Sequence, residues 1–318
     1  MPQPPRISVV SAWHNRSHDL AGSVGSVLKQ EGPSLEYIIV DDASDDAATR
    51  KGLRKVASSD PRIRLLRNTA NLGFTRSLIR AVGEARAEFV AIHDAGDMSL
   101  PGRLKAQVAF LERNHAHVMC GTRVRNVHVA GGATNVLPTK VDCAHKGVDG
   151  LIFTHGEVMF RREAYERVGG YRELFYYSQD TDLWRRMEEM GKLGHLDEVL
   201  YERRIFEDGV EGNPRKLVAQ AVFGNLARLS AQARREGRPD PIEQHHALAL
   251  LQQGNADRFR DRAYESFQRA LRDDRRAFEE AIAQVPAGLL STKTLMAYLM
   301  VRLRRHFQRR TKTERAEP

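Results

Sequence analysis

Short apolar runs alternate with amphipathic stretches along the first hundred residues. The apolar runs, which are typical of buried strands, cover residues 7–11, 37–40, 63–66 and 89–92. The stretches between them, at residues 17–30, 45–58 and 73–85, place apolar side chains at helical spacing. Strands that alternate with helices of this length predict an α/β fold, with a mostly parallel sheet flanked by helices.

The pattern becomes less regular beyond residue 100. The predicted strands of this part are short and cover residues 118–122, 124–129, 156–160 and 199–204. Helical patterns cover residues 102–113, 178–190, 214–283 and 289–310. Because the helical part from about Pro214 is long and charged, we expect one domain over residues 1–207 and a helical C-terminal region over residues 208–318.

Two of the predicted strands end in paired carboxylates. Asp41 and Asp42 follow the second strand, and Asp94 and Asp97 follow the fourth, with Gly96 between them. A turn alone explains one such end, since Asp and Gly are common turn residues. Two acidic ends suggest one shared crevice, because open α/β sheets bind ligands at the carboxyl ends of their strands. Carboxylate oxygens there suit Mg²⁺ or Mn²⁺ that carries phosphates.

Composition and charge narrow the class of protein. The 318 residues are 41% hydrophobic and 29% charged, as in ordinary soluble domains. The sequence has no apolar run of about 18 residues, the length that a membrane-spanning helix needs. The start of the chain also lacks the apolar core of a signal peptide, so we expect a cytoplasmic protein. The net charge of +9 favours an anionic partner such as a nucleotide or anionic lipid. Nucleic acid is disfavoured, because aromatic residues are not interleaved with the basic ones.

Several segments, in order, resemble motifs of the family 2 glycosyltransferases, which have the GT-A fold. The segments of the donor half are S-V-V-S-A-W-H-N-R at 8–16, V-D-D-A-S-D-D at 40–46, N-L-G-F-T-R-S-L at 71–78 and H-D-A-G-D-M-S-L-P-G-R-L at 93–104. Those of the acceptor half are T-H-G-E-V-M-F-R-R at 154–162, V-G-G-Y-R-E at 168–173 and S-Q-D-T-D-L-W-R-R at 178–186. The resemblance covers residues 7–205 and implies an inverting enzyme with a nucleotide-sugar donor.

The resemblance also assigns roles to single residues. Asp180 is expected to be the general base that deprotonates the acceptor hydroxyl, with Asp182 as the second choice. The residues expected at the donor are Trp13, Asn15, Asp41, Asp42, Asn71 and Asp94. Trp13 either stacks on the nucleobase or packs in the core. Possible contacts to phosphate or acceptor are Arg76, Arg161 and Asp182.

The metal motif departs from the family pattern. The usual motif is D-x-D-D, and here Gly96 stands where the metal-binding Asp is expected. Either Asp94 and Asp97 share a Mn²⁺ or Mg²⁺ ion, or the diphosphate and water hold most of it, and an enzyme without a metal stays open. Three classes of function follow: a glycosyltransferase, a nucleotidyltransferase on a related sheet, and a non-catalytic scaffold that binds sugar nucleotide or glycan.

The acceptor and the cellular location are expected from weaker signals. No Q-x-x-R-W follows the helix at 178–190, which in this family favours transfer of a single sugar. Analogy with the family suggests a glycan or lipid-linked acceptor in bacterial surface polysaccharide synthesis. The basic amphipathic pattern at residues 289–310 either lies on an anionic membrane surface or packs on its own domain.

Overall fold

The structure is a computed structural model that describes residues 4–129, 132, 134–136, 153–206 and 214–245. The chain divides into two compact units, residues 1–206 and residues 207–318. The strands of the first unit are β1 (Ile7–Trp13), β2 (Leu35–Asp41), β3 (Ile63–Arg67), β4 (Phe89–Ile92), β5 (Met98–Ser99), β6 (His117–His128), β7 (Thr134–Val136), β8 (Met159–Arg161) and β9 (Lys192–Ile205). Its helices are α1 (Leu20–Leu28), α2 (Ala47–Ser59), α3 (Phe74–Gly83), α4 (Arg103–Arg113), α5 (Arg162–Arg167) and α6 (Gln179–Met187).

These strands form one sheet in the order β3-β2-β1-β4-β8-β6-β9-β5, with β7 paired to β6. Strands β3, β2, β1 and β4 are parallel, and β8 is antiparallel to both β4 and β6. The chain leaves β1 toward β2 and β3, and β4 returns on the opposite side of β1. This reversal makes the carboxyl ends of β1 and β4 a topological switch point, where open α/β sheets bind ligands.

Helices cover both faces of the sheet, because alternate residues of each strand point to opposite sides. On one face, Val10 lies in a core cluster with Leu78 of α3 and Trp184 of α6. On the other face, Val9 lies in a second cluster, with Val24 of α1. The parallel strands are therefore buried on both sides, which explains their uninterrupted apolar sequence. The predicted α/β fold with flanking helices is confirmed, and the sheet is parallel over β3-β2-β1-β4 and mixed beyond β4, where a mostly parallel sheet was expected.

Some predicted elements have different bounds. The two strands expected at 118–122 and 124–129 are one strand, β6, whose pairing with β9 shifts register at residues 122–124. Ser99, shortly before the helix expected at 102–113, lies in a two-residue strand, β5, and α4 begins at Arg103. Long-range pairing decides both cases, and local sequence carries little of that information.

The second unit contributes two described helices. They are α7 (Pro214–Arg235) and α8 (Pro241–His245). Gly237 adopts a φ of 65° between them, so the helical pattern expected from Pro214 onward is interrupted there. The remainder of that pattern and the helix expected at 289–310 lie outside the described residues. Within the described part of the chain, no helix combines the length and the apolar content needed to cross a bilayer.

A buried arginine joins the elements beneath the carboxyl end of β4. The Arg103 guanidinium donates to the Ile92 carbonyl at 2.8 Å, the Gly156 carbonyl at 2.9 Å and the Ser99 hydroxyl at 2.9 Å. Its Cζ also lies 4.6 Å from the centroid of the Tyr201 ring. The side chain is fully buried, so these acceptors are what compensate for its loss of water.

We predict that Arg103→Met lowers the free energy of unfolding by about 3 kcal/mol, because it leaves buried carbonyl oxygens without donors. The matched control is Arg113→Met on the exposed end of α4, which should change that free energy by less than about 0.5 kcal/mol. Urea titration of both variants measures the effect. Equal stability of the two variants would show that Arg103 does not hold this region together.

Candidate functional site

The loops that follow β1, β2, β3 and β4 meet at one edge of the sheet. Asp42 accepts hydrogen bonds from Asn68 Nδ2 at 2.7 Å and from the backbone N–H groups of Leu72 and Gly73, both at 2.8 Å. The carboxylate is buried, and its two oxygens fix the start of the loop that precedes α3. A buried carboxylate is stable at this position because charge-assisted hydrogen bonds from the N–H donors compensate for its charge.

His14 and Asn15 connect the loops after β1 and β2. The Asn15 side-chain oxygen accepts from the backbone N–H groups of Asp45 and Asp46, each at 3.0 Å. Asn15 has a φ of 48°, a left-handed conformation that asparagine tolerates better than most residues. The His14 ring contacts the Asp42 carbonyl at 2.9 Å and Asn71 Nδ2 at 3.1 Å. Four sequence-predicted donor residues, Asn15, Asp41, Asp42 and Asn71, therefore lie on connected loops.

Trp13 and Asp41 are more enclosed than a nucleotide contact requires. The Trp13 side chain is fully buried in the core cluster with Val9 and Val24. This burial agrees with the second of the two alternatives, packing in the core, and not with stacking on a nucleobase. Asp41 accepts from the Ser44 backbone N–H at 2.9 Å and is also buried. Direct contact of Asp41 or Asp42 with a nucleotide stays a prediction, because their described contacts organise the loops.

Asp94 lies two residues after the end of β4. It pairs with His155, a residue that the sequence analysis did not assign to the site. His155 Nδ1 lies 2.8 Å from Asp94 Oδ1, and His155 Nε2 lies 2.9 Å from the Tyr171 hydroxyl. The imidazole also stacks on Trp184, with ring centroids 6.3 Å apart. His155 stands in the T-H-G-E segment, so its motif was visible, but its partner 61 residues away was not.

The electrostatics of this pair favour its charged form. Burial lowers the pKa of His155, but the Asp94 carboxylate, followed by Asp180 and Glu157, outweighs burial, and the pKa is raised. Burial likewise raises the pKa of Asp94, and His155 outweighs it, so that pKa is lowered. Asp94 keeps part of its surface exposed, with a side-chain exposure of 27%. It is thus a partly accessible carboxylate at this edge of the sheet.

Asp97 serves the fold instead of facing the crevice. Its Oδ2 accepts from the Tyr201 hydroxyl at 2.9 Å, and its Oδ1 accepts from the Arg204 backbone N–H at 2.8 Å. Burial, and then the charge of Asp94, raise the pKa of Asp97 to about 8. Both oxygens therefore join β9 to the end of β4, and the expected metal-ligand role of Asp97 does not agree with these contacts.

The residues present do not fit a cation held by several carboxylates. Position 96 has no side chain, Asp97 is engaged on both oxygens, and Asp94 Oδ1 is paired with His155. Over the described ranges, no group of three or more His, Cys, Asp or Glu side chains could hold a metal ion. The two-carboxylate site expected from Asp94 and Asp97 is therefore not formed in this structure.

Asp180 and Asp182 differ in their surroundings. Asp180 is half-buried in the first turn of α6, and its Oδ1 accepts from the Thr181 backbone N–H at 2.7 Å. Asp182 is fully buried, and its Oδ2 accepts from Arg186 at 2.6 Å while its Oδ1 lies 3.6 Å from Arg172. A carboxylate enclosed in this way has no route to an acceptor, so Asp182 is a packing residue and the second choice of base is not supported.

Of the two arginines predicted to contact phosphate or acceptor, Arg161 lies at the edge of the sheet opposite to the acidic loops. Arg161 pairs with Phe89 at the start of β4, and its guanidinium donates to the carbonyls of His117 and Leu111 at 3.1 and 2.7 Å. The amino end of a strand is opposite to the acidic loops, so the structure does not bring Arg161 together with the other predicted site residues, and its contact to phosphate or acceptor stays a prediction. Arg76 is exposed near the start of α3 and donates to Glu173 at 3.0 Å.

Comparison with known proteins gives a consistent result. A family model described as "Glycosyl transferase family 2" matches residues 8–169. The putative glycosyltransferase EpsE of Bacillus subtilis is 34% identical over 208 residues, which is 64% of this chain and 74% of that protein. The O-antigen biosynthesis glycosyltransferase WbnJ of Escherichia coli is 28% identical over 187 residues, or 57% of this chain and 71% of its own length.

A solved structure supports the fold independently. The mannosyltransferase PcManGT from Pyrobaculum calidifontis, in complex with GDP-Man and Mn²⁺, is similar to this chain with a TM-score of 0.57 and 19% identity. The match covers 94% of this chain and 86% of that one. At this level of identity the likeness concerns the fold alone, and it confirms the predicted GT-A architecture.

We predict that Asp42→Asn lowers both thermal stability and nucleotide affinity. An asparagine amide would place an N–H group against one of the loop donors, which costs about 2 kcal/mol at a buried site. The control is Asp197→Asn on the exposed part of β9, which should change neither quantity. Differential scanning fluorimetry and calorimetry measure the two effects. Weaker nucleotide binding at unchanged stability would instead indicate direct contact between Asp42 and the nucleotide.

Proposed function

This chain belongs to glycosyl transferase family 2, and from that membership we propose that it transfers a single sugar, with inversion, from a nucleotide-sugar donor to a glycan or lipid-linked acceptor. The proposed setting is bacterial surface polysaccharide synthesis, since its relatives include an O-antigen biosynthesis enzyme. The transferase class itself follows from the family. Inversion, transfer of a single sugar and the type of acceptor are part of the proposal.

The observation that carries the proposal is that His155 connects Asp94 with the helix that Asp180 begins. Asp94 pairs with His155 directly, at 2.8 Å, and the His155 ring stacks on Trp184 of α6, whose first turn carries Asp180. One carboxylate follows β4 at the switch point and the other begins α6. A donor bound at the strand ends would therefore have a half-buried carboxylate close to its sugar.

The proposed reaction needs one base and one leaving group. Asp180 takes the proton of the acceptor hydroxyl, and the resulting oxygen forms a bond to the anomeric carbon of the donor sugar. The bond from that carbon to the diphosphate breaks, and its electron pair leaves with the phosphate oxygen. One direct displacement inverts the anomeric centre. The buried Trp184 ring stacks on His155 and the exposed Phe74 ring meets it edge-on, so apolar surface lies on both sides of the imidazole.

The proposed cofactor and location come from sequence patterns. A Mn²⁺ or Mg²⁺ ion stays a prediction from the motif, and no step here passes through it because the described side chains do not fit such a centre. We propose peripheral attachment to an anionic membrane surface through residues 289–310, on the sequence pattern alone. That segment lies outside the described residues.

We predict that Asp180→Asn lowers turnover roughly 10²-fold or more, because general base catalysis is typically of that size, while donor affinity stays within about twofold. A thermal-shift screen over nucleotide sugars first identifies the donor, since ligand binding raises apparent stability. The assay then follows release of the nucleoside diphosphate, with Asp197→Asn as the matched control. Normal turnover of Asp180→Asn would remove the base assignment. A wild-type chain that binds donor but never releases the diphosphate would favour the scaffold alternative.

A further inference from the structure

The space beside Asp94 that the sequence assigns to a carboxylate faces Phe206 and Arg16. Gly96 has a φ of 95°, a conformation that side chains rarely adopt. A Cβ atom built on Gly96 would lie 3.3 Å from Phe206 Cζ and 3.9 Å from Arg16 Cδ. A side chain at position 96 would therefore be strained and would crowd the Phe206 ring, with Arg16 beside it at ordinary van der Waals distance.

The topology of the sheet places Arg16 at the switch point. Arg16 follows β1, and Asp94 follows β4, the strand adjacent to β1 in the sheet. The two strands run parallel, and the His93 backbone N–H donates to the Val10 carbonyl at 3.0 Å. The loops that carry Arg16 and Asp94 therefore leave the sheet side by side, at the edge where a donor nucleotide is expected.

An aromatic ring holds the Arg16 guanidinium in place. Arg16 Cζ lies 4.0 Å from the centroid of the Phe206 ring, within the range of a cation–π contact. His18 meets the same ring edge-on, with centroids 6.0 Å apart. Stacking uses the flat face of a guanidinium, whereas its N–H donors lie in its plane. The contact therefore orders the side chain and is compatible with binding an anion.

Two further arginines lie near this edge. Arg204 forms an ion pair with Asp19, and Arg203 Nε donates to Asn126 Oδ1 at 2.9 Å. The positive charge of Arg203 also acts on both Asp94 and Asp97. Arg16 differs from them in its place, because its Cδ lies beside Gly96, the position between Asp94 and Asp97 where the motif is expected to carry a carboxylate.

We infer that Arg16 is a binding residue for the donor diphosphate, where it supplies the positive charge that a carboxylate-held metal ion would otherwise bring. This inference rests on the proposed function. The leaving diphosphate gains negative charge as its bond to the sugar breaks, and a guanidinium matches phosphate oxygens in two parallel hydrogen bonds. The proton and electron transfers of the reaction are unchanged, since Arg16 remains charged throughout.

The test compares nucleoside diphosphates with monophosphates. Calorimetry with UDP, GDP, UMP and GMP, in Mn²⁺ and in EDTA, is run on the wild type, Arg16→Gln, Arg16→Lys and the control Arg54→Gln, which changes an exposed residue of α2. We expect Arg16→Gln to lose at least tenfold in diphosphate affinity and less than threefold in monophosphate affinity, in both buffers. Arg16→Lys, which keeps the charge and loses the paired hydrogen bonds, should fall between.

Each other outcome overturns a defined part of the account. Diphosphate affinity of Arg16→Gln equal to that of the wild type contradicts the inference and leaves the proposed function standing. A loss shared equally by mono- and diphosphates would mean that Arg16 only packs the loop, and this also contradicts it. If Arg16→Gln does not fold, Arg16→Lys carries the test. A diphosphate affinity of Arg16→Lys equal to that of the wild type would then contradict the proposed pair of hydrogen bonds. A wild-type chain that binds none of the four nucleotides overturns the proposed function and the inference together.

Discussion

The hydrogen bond of 2.8 Å between His155 Nδ1 and Asp94 Oδ1 joins the two halves of the crevice. Asp94 follows the parallel strands, where the donor is proposed to bind, and His155 precedes the antiparallel strand β8, on the proposed acceptor side. A carboxylate and an imidazole in this partly buried place each stabilise the charged form of the other. Tyr171, bonded to the other ring nitrogen, holds the imidazole in one orientation.

A second layer of buried contacts supports that pair from below. The Tyr201 hydroxyl accepts from the Asp94 backbone N–H at 3.1 Å and donates to Asp97, so strand β9 is fastened to the end of β4. Gly156 has to be glycine, because a Cβ there would lie 2.2 Å from the Tyr201 oxygen. Arg103 then ties the carbonyls of Ile92 and Gly156 together. The acidic motif after β4 is thus divided: Asp94 serves the crevice, and Asp97 serves the scaffold.

The sequence predicts the parts of this arrangement that depend on neighbouring residues. The parallel strands and the clustering of Asn15, Asp42 and Asn71 follow from apolar runs that end in polar loops. Contacts over long separations do not follow in this way. The contact between Asp94 and His155, which are 61 residues apart, and the pairing that turns two expected strands into β6 are set by tertiary packing. The position of Arg161 has the same origin, since only the sheet register shows that it lies at the opposite edge.

The central claim is that the carboxyl ends of β1 and β4 form a sugar-nucleotide site with Asp180 across from the leaving group. The most direct measurement is a crystal structure of the full chain with the nucleoside diphosphate that it binds best. The account predicts the diphosphate beside Asp94 and within hydrogen-bond distance of Arg16, with the Asp180 carboxylate facing the space for the sugar. A diphosphate bound at another edge of the sheet, or a nucleotide that leaves Asp180 turned away from its terminal phosphate, would contradict it.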